Sequence, residues 1–154
     1  MMRLAALLLA LLLPACRGTG ADGLPAPEPM DMAHLSRPGT PNTALAAPPG
    51  FTPAPDLETR RYPVPPERLY AAIRGVALAQ PRTHLHAAFD GQMQAHFVAR
   101  SALLNFPDLI AVQVTPDSGL ILWSRSIYGR SDFGVNRARL AAWLGALDRE
   151  LQPL

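Results

Sequence analysis

Proline is distributed so unevenly along this chain that it limits where regular structure can form. Thirteen of the 17 prolines lie at or before Pro66, and four follow it. Proline has no amide hydrogen and a fixed φ angle, so it interrupts helix interiors and central strands. We therefore predict a flexible, proline-rich tether at residues 16–36. One small α+β domain is expected at residues 37–154, with its core at about residues 60–154.

The first 15 residues have the composition of an export signal. Arg3 provides a positive charge, and residues 4–13 form an uninterrupted apolar run. The run is too short to cross a bilayer, which needs about 20 residues, but it is typical of a secretory signal peptide. The single cysteine, Cys16, follows Leu13-Pro14-Ala15, a segment that resembles a bacterial lipobox. This resemblance implies cleavage before Cys16 and its diacylation, whereas the alternative is an ordinary signal peptide that contains a cysteine.

The same features predict location and partners. A lipid anchor on Cys16 would hold the protein on a membrane of the bacterial cell envelope, facing the periplasm. Because Arg17 rather than an acidic residue follows Cys16, the outer membrane is favoured. A single cysteine excludes an intramolecular disulfide and a zinc-thiolate site. The net charge of +2 is too small to indicate nucleic-acid binding. No cofactor is expected.

Two segments have the apolar spacing of an amphipathic helix. The first begins after Pro65 and Pro66 and ends before Pro81, because proline suits the first turn of a helix and interrupts its interior. Its apolar positions are Leu69, Ile73, Val76 and Ala77. The second segment continues through the C-terminus, and its apolar stripe consists of Leu140, Trp143, Leu144, Leu147 and Leu151.

Four segments between these helices are predicted to be strands: residues 83–90, 93–99, 109–115 and 120–128. Turns are expected at Asp90-Gly91, at residues 105–108 and at residues 116–119. The order helix, four strands, helix indicates a four-stranded antiparallel sheet packed by two helices, which is an α+β fold.

The loop between the first two predicted strands decides which residues face each other. A two-residue loop would pair Phe89 with Gln92 and would set the apolar faces against each other. A loop of odd length pairs Phe89 with Met93 and Leu85 with Phe97, which keeps one face apolar, so we prefer it.

Residues 125–139 are the most polar part of the predicted domain and contain four arginines. If the last helix begins near Ser131 or Asp132, its free amide groups would face the loop that carries Arg130 and could bind an anion. The candidate ligand-binding residues are Arg125, Arg130, Ser131, Asp132, Asn136 and Arg137. Phosphate, a glycan carboxylate or a phospholipid headgroup would suit them.

A purely structural role explains the same residues. Ser131 or Asp132 would cap the helix, and Arg125 would point inward and pair with Asp108 or Asp132. Asn136 would be buried and therefore hydrogen-bonded. The sequence leaves both interpretations open.

A metal site is the alternative candidate. His84 and His86 lie two apart on one strand, and the preferred register places His96 opposite His86. Three imidazoles on one face could hold zinc with an open position for water, supported by Asp90. That arrangement would make the protein a small metal-dependent hydrolase. Outward-facing histidines on a half-exposed strand would have no such role.

The C-terminal motif also resembles a known family. Residues Gly129-Arg130-Ser131-Asp132-Phe133-Gly134-Val135-Asn136-Arg137-Ala138-Arg139, with Arg125 and Ser126 before them, are similar to the end of the bacterial family called domain of unknown function 1499. Pro107-Asp108 resembles its acidic turn, with Leu109 where a second acid is often found. Pro41-Asn42 resembles its early element, with Thr43, Ala44 and Ala46 in place of cysteine and serines.

The resemblance covers about residues 37–151. It implies an exported or membrane-associated single-domain protein and implies no reaction. Together, these features predict a bacterial envelope lipoprotein that acts as a non-catalytic binding or structural module, with an anion or headgroup site at the start of the last helix.

Overall fold

The computed structural model describes residues 18–152, so the predicted signal peptide and Cys16 lie outside the described residues. The described part contains two α-helices, α1 (Pro66–Leu78) and α2 (Val135–Glu150). Its six strands are β1 (Thr43–Ala47), β2 (Leu57–Glu58), β3 (Thr83–Phe89), β4 (Gln94–Arg100), β5 (Pro107–Val114) and β6 (Leu120–Ser126). Short 3-10 turns form at Met32–His34 and Asp90–Gln92.

The fold is α+β, and its strands form one mixed six-stranded sheet in the order β2-β1-β6-β5-β4-β3. All neighbouring strands are antiparallel except β1 and β2, which are parallel. The four predicted strands correspond to β3–β6, and the prediction of a four-stranded antiparallel sheet is inexact because it lacked β1 and β2. Strand β1 lies between β6 and β2 and is covered on both faces, so its sequence shows no alternation. Strand β2 has only two residues.

Several boundaries differ from the prediction for local reasons. Helix α2 begins at Val135 rather than near Ser131 or Asp132, because Phe133 (φ 52°) and Gly134 (φ 83°) have left-handed conformations. Strand β5 already begins at Pro107, within the predicted turn, and β6 ends at Ser126. Helix α1 begins at Pro66, one residue earlier than predicted, and ends before Pro81 as predicted.

The register between β3 and β4 is only partly as expected. Leu85 pairs with Phe97, which confirms the preferred alignment at that point. An irregularity between Leu85 and Ala87 then shifts the pairing, so that Ala87 lies opposite His96 and Phe89 opposite Gln94. The predicted pairs Phe89–Met93 and His86–His96 are therefore wrong, because a bulge adds one unpaired residue to β3.

Both helices pack on one face of the sheet and form the main hydrophobic core. Helix α2 contributes Leu140, Trp143 and Leu147, and the ring of Trp143 lies edge-on to Phe97 with centroids 5.8 Å apart. The core also includes Ala44 and Ala46 of β1, so it reaches beyond the predicted boundary at about residue 60.

The opposite face of the sheet is covered by residues 18–36, which we call the strap. Two of its apolar side chains, Met32 and Leu35, belong to a second core that also contains Leu45, Ala47, Ala111, Ile121 and Trp123. This contact differs from the free tether predicted for residues 16–36. Proline prevents the strap from adding a strand to the sheet, but it does not prevent methionine and leucine from being buried.

Polar side chains of β4 hold the strap in place. Gln94 is completely buried and accepts a hydrogen bond from the Met30 N–H (2.7 Å) while its amide donates to the Met30 carbonyl (2.8 Å). The Arg100 guanidinium donates to the carbonyls of Gly20 (2.9 Å) and Asp22 (2.8 Å). Side-chain donors thus satisfy carbonyl groups that backbone pairing leaves open.

Candidate functional site

Asn136, in the first turn of α2, is the centre of a buried hydrogen-bond cluster. Its side chain is completely buried. The amide nitrogen lies within hydrogen-bond distance of the Asn42 carbonyl (3.0 Å), the Ser126 hydroxyl (3.0 Å) and Asp132 Oδ2 (2.7 Å). The start of α2 is thereby joined to the end of β6 and to the residue that precedes β1.

The other side of the Asn136 amide accepts hydrogen bonds. Its Oδ1 atom accepts from the Ser124 hydroxyl (2.5 Å) and from Arg139 (2.8 Å). Arg139 also donates to Asp108 Oδ2 at 2.6 Å, and both side chains of this ion pair are largely buried. We call residues 42, 108, 124, 126, 132, 136 and 139 the Asn136 cluster. No buried side-chain nitrogen or oxygen within residues 18–152 lacks a partner, as buried polar groups require.

Asp132 occupies the position where an anion was predicted to bind. Its carboxylate accepts hydrogen bonds from the backbone N–H groups of Asn136 (2.8 Å) and Gly134 (3.1 Å). Burial by itself would raise the pKa of Asp132, but these N–H groups and the Asn136 amide hold that pKa below its ordinary value. The charged carboxylate of the chain itself therefore satisfies the helix start. Ser131 accepts a hydrogen bond from the Phe133 N–H at 3.3 Å.

The predicted early element and the C-terminal motif meet through Asn42. Its amide donates to the Gly129 carbonyl (2.8 Å), and its Oδ1 atom accepts from the Thr40 hydroxyl (2.7 Å). The backbone N–H of Ser126 donates to the Asn42 carbonyl (3.0 Å). Two sequence elements far apart in the chain thus build one structural unit.

The three candidate arginines have separate environments. Arg130 is exposed and forms no hydrogen bond within residues 18–152, and Arg137 reaches only the Asp56 carbonyl at 3.5 Å. The structural interpretation, in which Arg125 points inward and pairs with Asp108 or Asp132, is wrong for this residue. It is exposed and has no ion pair among the described residues, because Arg139 already neutralises Asp108.

Arg125 lies beside a cleft between the strap and the sheet, which we call the strap cleft. Its volume is about 920 Å³. The sheet side is largely apolar and includes Leu109, Ala111, Trp123 and Ile127. The strap side is formed by residues 23–28 and Met30. His86 and His96 also line the cleft.

The three histidines do not form a metal site. His86 Nε2 lies 3.0 Å from the Pro25 carbonyl, whereas His96 Nε2 lies 2.9 Å from Gln94 Oε1. His84 is exposed beside Gly20 of the strap. No group of three histidine, cysteine or acidic residues in the described part of the chain is placed to hold a metal ion.

The remaining groups of the metal hypothesis have other roles. The Asp90 carboxylate, predicted to support the metal, accepts hydrogen bonds from the Tyr70 hydroxyl (2.9 Å) and from Arg74 (3.1 Å). His96 is buried with its ring edge-on to Phe89. Burial, together with the neighbouring His86, lowers the pKa of His96 to about 4.

Residues 35–147 match the family model described as "Protein of unknown function (DUF1499)". The chain belongs to this family. The matched region of this DUF1499 protein includes all of the Asn136 cluster and leaves out the strap up to His34. The comparison with curated proteins gave no match, and neither did the comparison with solved structures.

Sequence reasoning missed two parts of the site in this DUF1499 protein. Arg139 was not among the candidates, although its spacing of three from Asn136 places both on one helix face. The strap cleft gives no sequence signal, because proline-rich segments show no periodicity.

Among residues 18–152, neither α1 nor α2 is long and apolar enough to cross a membrane.

Proposed function

We propose that this DUF1499 protein is a bacterial envelope lipoprotein whose domain binds an amphipathic anion in the strap cleft without catalysing a reaction. The ligand class is an acyl chain that carries a phosphate or carboxylate group. The observation that carries the proposal is a largely apolar cleft with an arginine, Arg125, that has no ion-pair partner in the described part of the chain.

The dimensions and composition of the cleft suit such a ligand. Its volume of about 920 Å³ lies within the range of about 300–1,000 Å³ that is usual for small-molecule sites. Apolar side chains from β5 and β6 would bury the hydrocarbon chain, and each methylene removed from water contributes about 0.8 kcal/mol.

The charged side chains that line the cleft are Glu28, Arg37 and Arg125, and we propose that Arg125 binds the anionic end of the ligand. The Arg37 guanidinium is already neutralised by Asp56 at 2.9 Å. Arg125 has no ion pair within the described residues, and a guanidinium can bind a phosphate or carboxylate through two parallel hydrogen bonds. The site at the start of α2 is less suited to a ligand, because Asp132 already accepts the N–H groups there.

The location is supported by the sequence of the first 16 residues. A short apolar run after Arg3 and a lipobox-like segment before Cys16 are typical of lipoproteins. Two or more acyl chains on Cys16 would anchor the protein stably, whereas one would not. We favour the outer membrane, with the domain facing the periplasm.

Tryptophan fluorescence tests the binding proposal directly. The chain has two tryptophans, and Trp143→Phe leaves only Trp123, which lines the cleft. We expect dodecyl phosphate and dodecanoate, titrated below their micelle concentrations, to change the Trp123 emission saturably. Dodecanol, which lacks the anionic group, should bind more weakly than either.

Arg125→Gln in the same background should weaken the binding of dodecyl phosphate by at least about tenfold, because a charge-assisted hydrogen bond contributes about 1.5–3 kcal/mol. Arg130→Gln is the matched control, since Arg130 is exposed and does not line the cleft, and it should bind normally. Absence of saturable binding, or equal affinities for Arg125→Gln and the control, would reject the proposal.

A further inference from the structure

The exposed apolar side chains of the domain are concentrated at one end of the sheet. Six large apolar residues are exposed in the described part of the chain, and only Leu85 lies within a strand. The other five, with their exposed fractions, are Leu78 (49%), Leu103 (91%), Leu104 (56%), Phe133 (95%) and Val135 (51%).

The topology places these five residues at the same end of the sheet. Strands β3 and β5 begin where β4 and β6 end, as shown by the pairs Thr83–Ala99, Arg100–Pro107 and Asp108–Ser126. Helix α1 ends just before β3, and α2 begins just after the loop from β6. We call this end, with residues 78–82, 101–106 and 127–135, the loop end.

The opposite end has a different surface. It contains the turns at Asp90–Gln92 and residues 116–119, the start of α1 and the end of α2. Ion pairs join Arg61 to Asp117, Arg60 to Asp148 and Arg74 to Asp90 there. None of the six exposed large apolar residues among residues 18–152 lies at that end.

Two apolar side chains of the loop end, those of Leu103 and Phe133, are too exposed to contribute much to the stability of the domain. Phe133 is almost fully exposed and has a left-handed conformation (φ 52°), which is rare for a bulky residue. Leu103 is also almost fully exposed at the tip of the loop from β4 to β5. Leucine and phenylalanine at exposed tips are typical of surfaces that enter the interfacial layer of a bilayer.

The charge of the loop end suits anionic headgroups. Arg130 is exposed in the loop from β6 to α2. Arg82 donates to the Arg100 carbonyl (3.0 Å) and to Asn105, neither of which neutralises its charge. Of the nearby acids, Asp108 is neutralised by Arg139, whereas Asp132 keeps its charge, so Arg82 and Arg130 face one charged carboxylate. Exposed arginines next to apolar tips are attracted to anionic lipid.

The strap also begins at the loop end. The Gly18 carbonyl accepts a hydrogen bond from the Asn105 amide (3.0 Å), in the loop from β4 to β5. Cys16 precedes Gly18 by two residues, so the chain between them reaches at most about 7 Å. This step rests on the proposed lipid anchor: acyl chains on Cys16 would enter the membrane beside the loop end.

We propose that the loop end lies on the surface of an anionic lipid bilayer, with Leu103, Leu104 and Phe133 inserted among the acyl chains near the headgroups. In this arrangement the strap fixes the orientation of the domain on the membrane, instead of holding the domain away from the membrane. The strap cleft opens on the adjacent face of the sheet, and its Arg125 is the penultimate residue of β6, next to the loop end.

Spin labels on the full chain test this orientation. The protein is reconstituted in vesicles of phosphatidylethanolamine with a minority of phosphatidylglycerol, and Leu103→Cys and Phe133→Cys are each labelled with a nitroxide. Gln92→Cys is the matched control, because Gln92 is exposed in the turn at the opposite end. Oxygen dissolves in lipid, whereas the nickel complex used here dissolves in water. The readout is the relaxation of the nitroxide spin caused by oxygen, divided by the relaxation caused by the nickel complex.

We expect the ratio of oxygen to nickel accessibility to be several-fold higher at positions 103 and 133 than at position 92. Equal ratios at the three positions would overturn the proposal. The unsubstituted protein, treated with the same label, measures the labelling of Cys16, which diacylation would prevent. Labelling there would reject the proposed anchor, and the depth of positions 103 and 133 would then be measured with Cys16→Ser added, which makes it independent of the anchor and of binding in the cleft.

Discussion

Replacing Asn136 by alanine should cause a large loss of stability, because this buried amide joins three parts of the chain. The substitution removes the acceptor of the Ser124 hydroxyl and one donor to the Asn42 carbonyl, which keeps only its bond from the Ser126 N–H. Arg139 keeps its bonds to Ser124 and Asp108. Each buried group that loses its partner costs about 1–3 kcal/mol, so we expect a loss of about 3 kcal/mol in the free energy of unfolding.

Urea unfolding, followed by the fluorescence of the two tryptophans, measures this loss. With a denaturant dependence of about 1.5 kcal/mol/M, the midpoint should fall by about 2 M. Arg137→Ala is the control, since Arg137 is the next residue of α2 and is exposed, and it should change stability by less than about 0.5 kcal/mol. If Asn136→Ala costs less than about 1 kcal/mol, or no more than the control, the cluster does not stabilise the fold as argued here.

Two further predictions concern β4. The pKa of His96 is lowered to about 4 by burial and by His86, so the unfolded chain, with an ordinary value of about 6.5, binds the proton first as the pH falls. Stability should therefore decrease by roughly 3 kcal/mol between about pH 6.5 and pH 4. His96→Gln should flatten this dependence in urea unfolding at a series of pH values, and an unchanged slope would contradict the assignment. Gln94→Ala removes both hydrogen bonds to Met30, so limited proteolysis should cut the strap several-fold faster than in the control Gln92→Ala, and equal rates would show that Gln94 does not hold the strap.

The two helices and four of the strands could be predicted because each has a local signal. In α1 the prolines mark the start and the apolar residues Leu69, Ile73 and Val76 repeat at helical spacing, and all three are buried. Strand β1 had no comparable signal. Its neighbours β6 and β2 pair with both of its edges, and its alanines are buried on both faces. Short alanine-rich segments become strands only when such neighbours are present.

For the candidate site, too, the local motif could be predicted from the sequence, whereas its role in the folded protein could not. The polar motif at residues 125–139 was recognised, and Asp132 and Asn136 do meet at the start of α2. Whether they bind a ligand or stabilise the chain could not be decided from the sequence, because both uses require the same polar groups. The prediction of a metal site at the histidines was wrong because of one local irregularity. One bulge in β3 moved His86 out of line with His96, and no periodicity argument predicts a single inserted residue.

The sequence by itself determined the parts of this protein that depend on neighbouring residues: the proline-bounded helix α1, the strand segments β3–β6, the family motif and the lipobox-like segment. The tertiary structure alone decided which face the strap covers, that Asn42 meets Asn136 at one end of the sheet, and that Arg125 lies beside a cleft without an ion pair among residues 18–152. The physical reason is that local propensities act over a few residues, whereas burial and hydrogen-bond partners depend on segments that are distant in the chain.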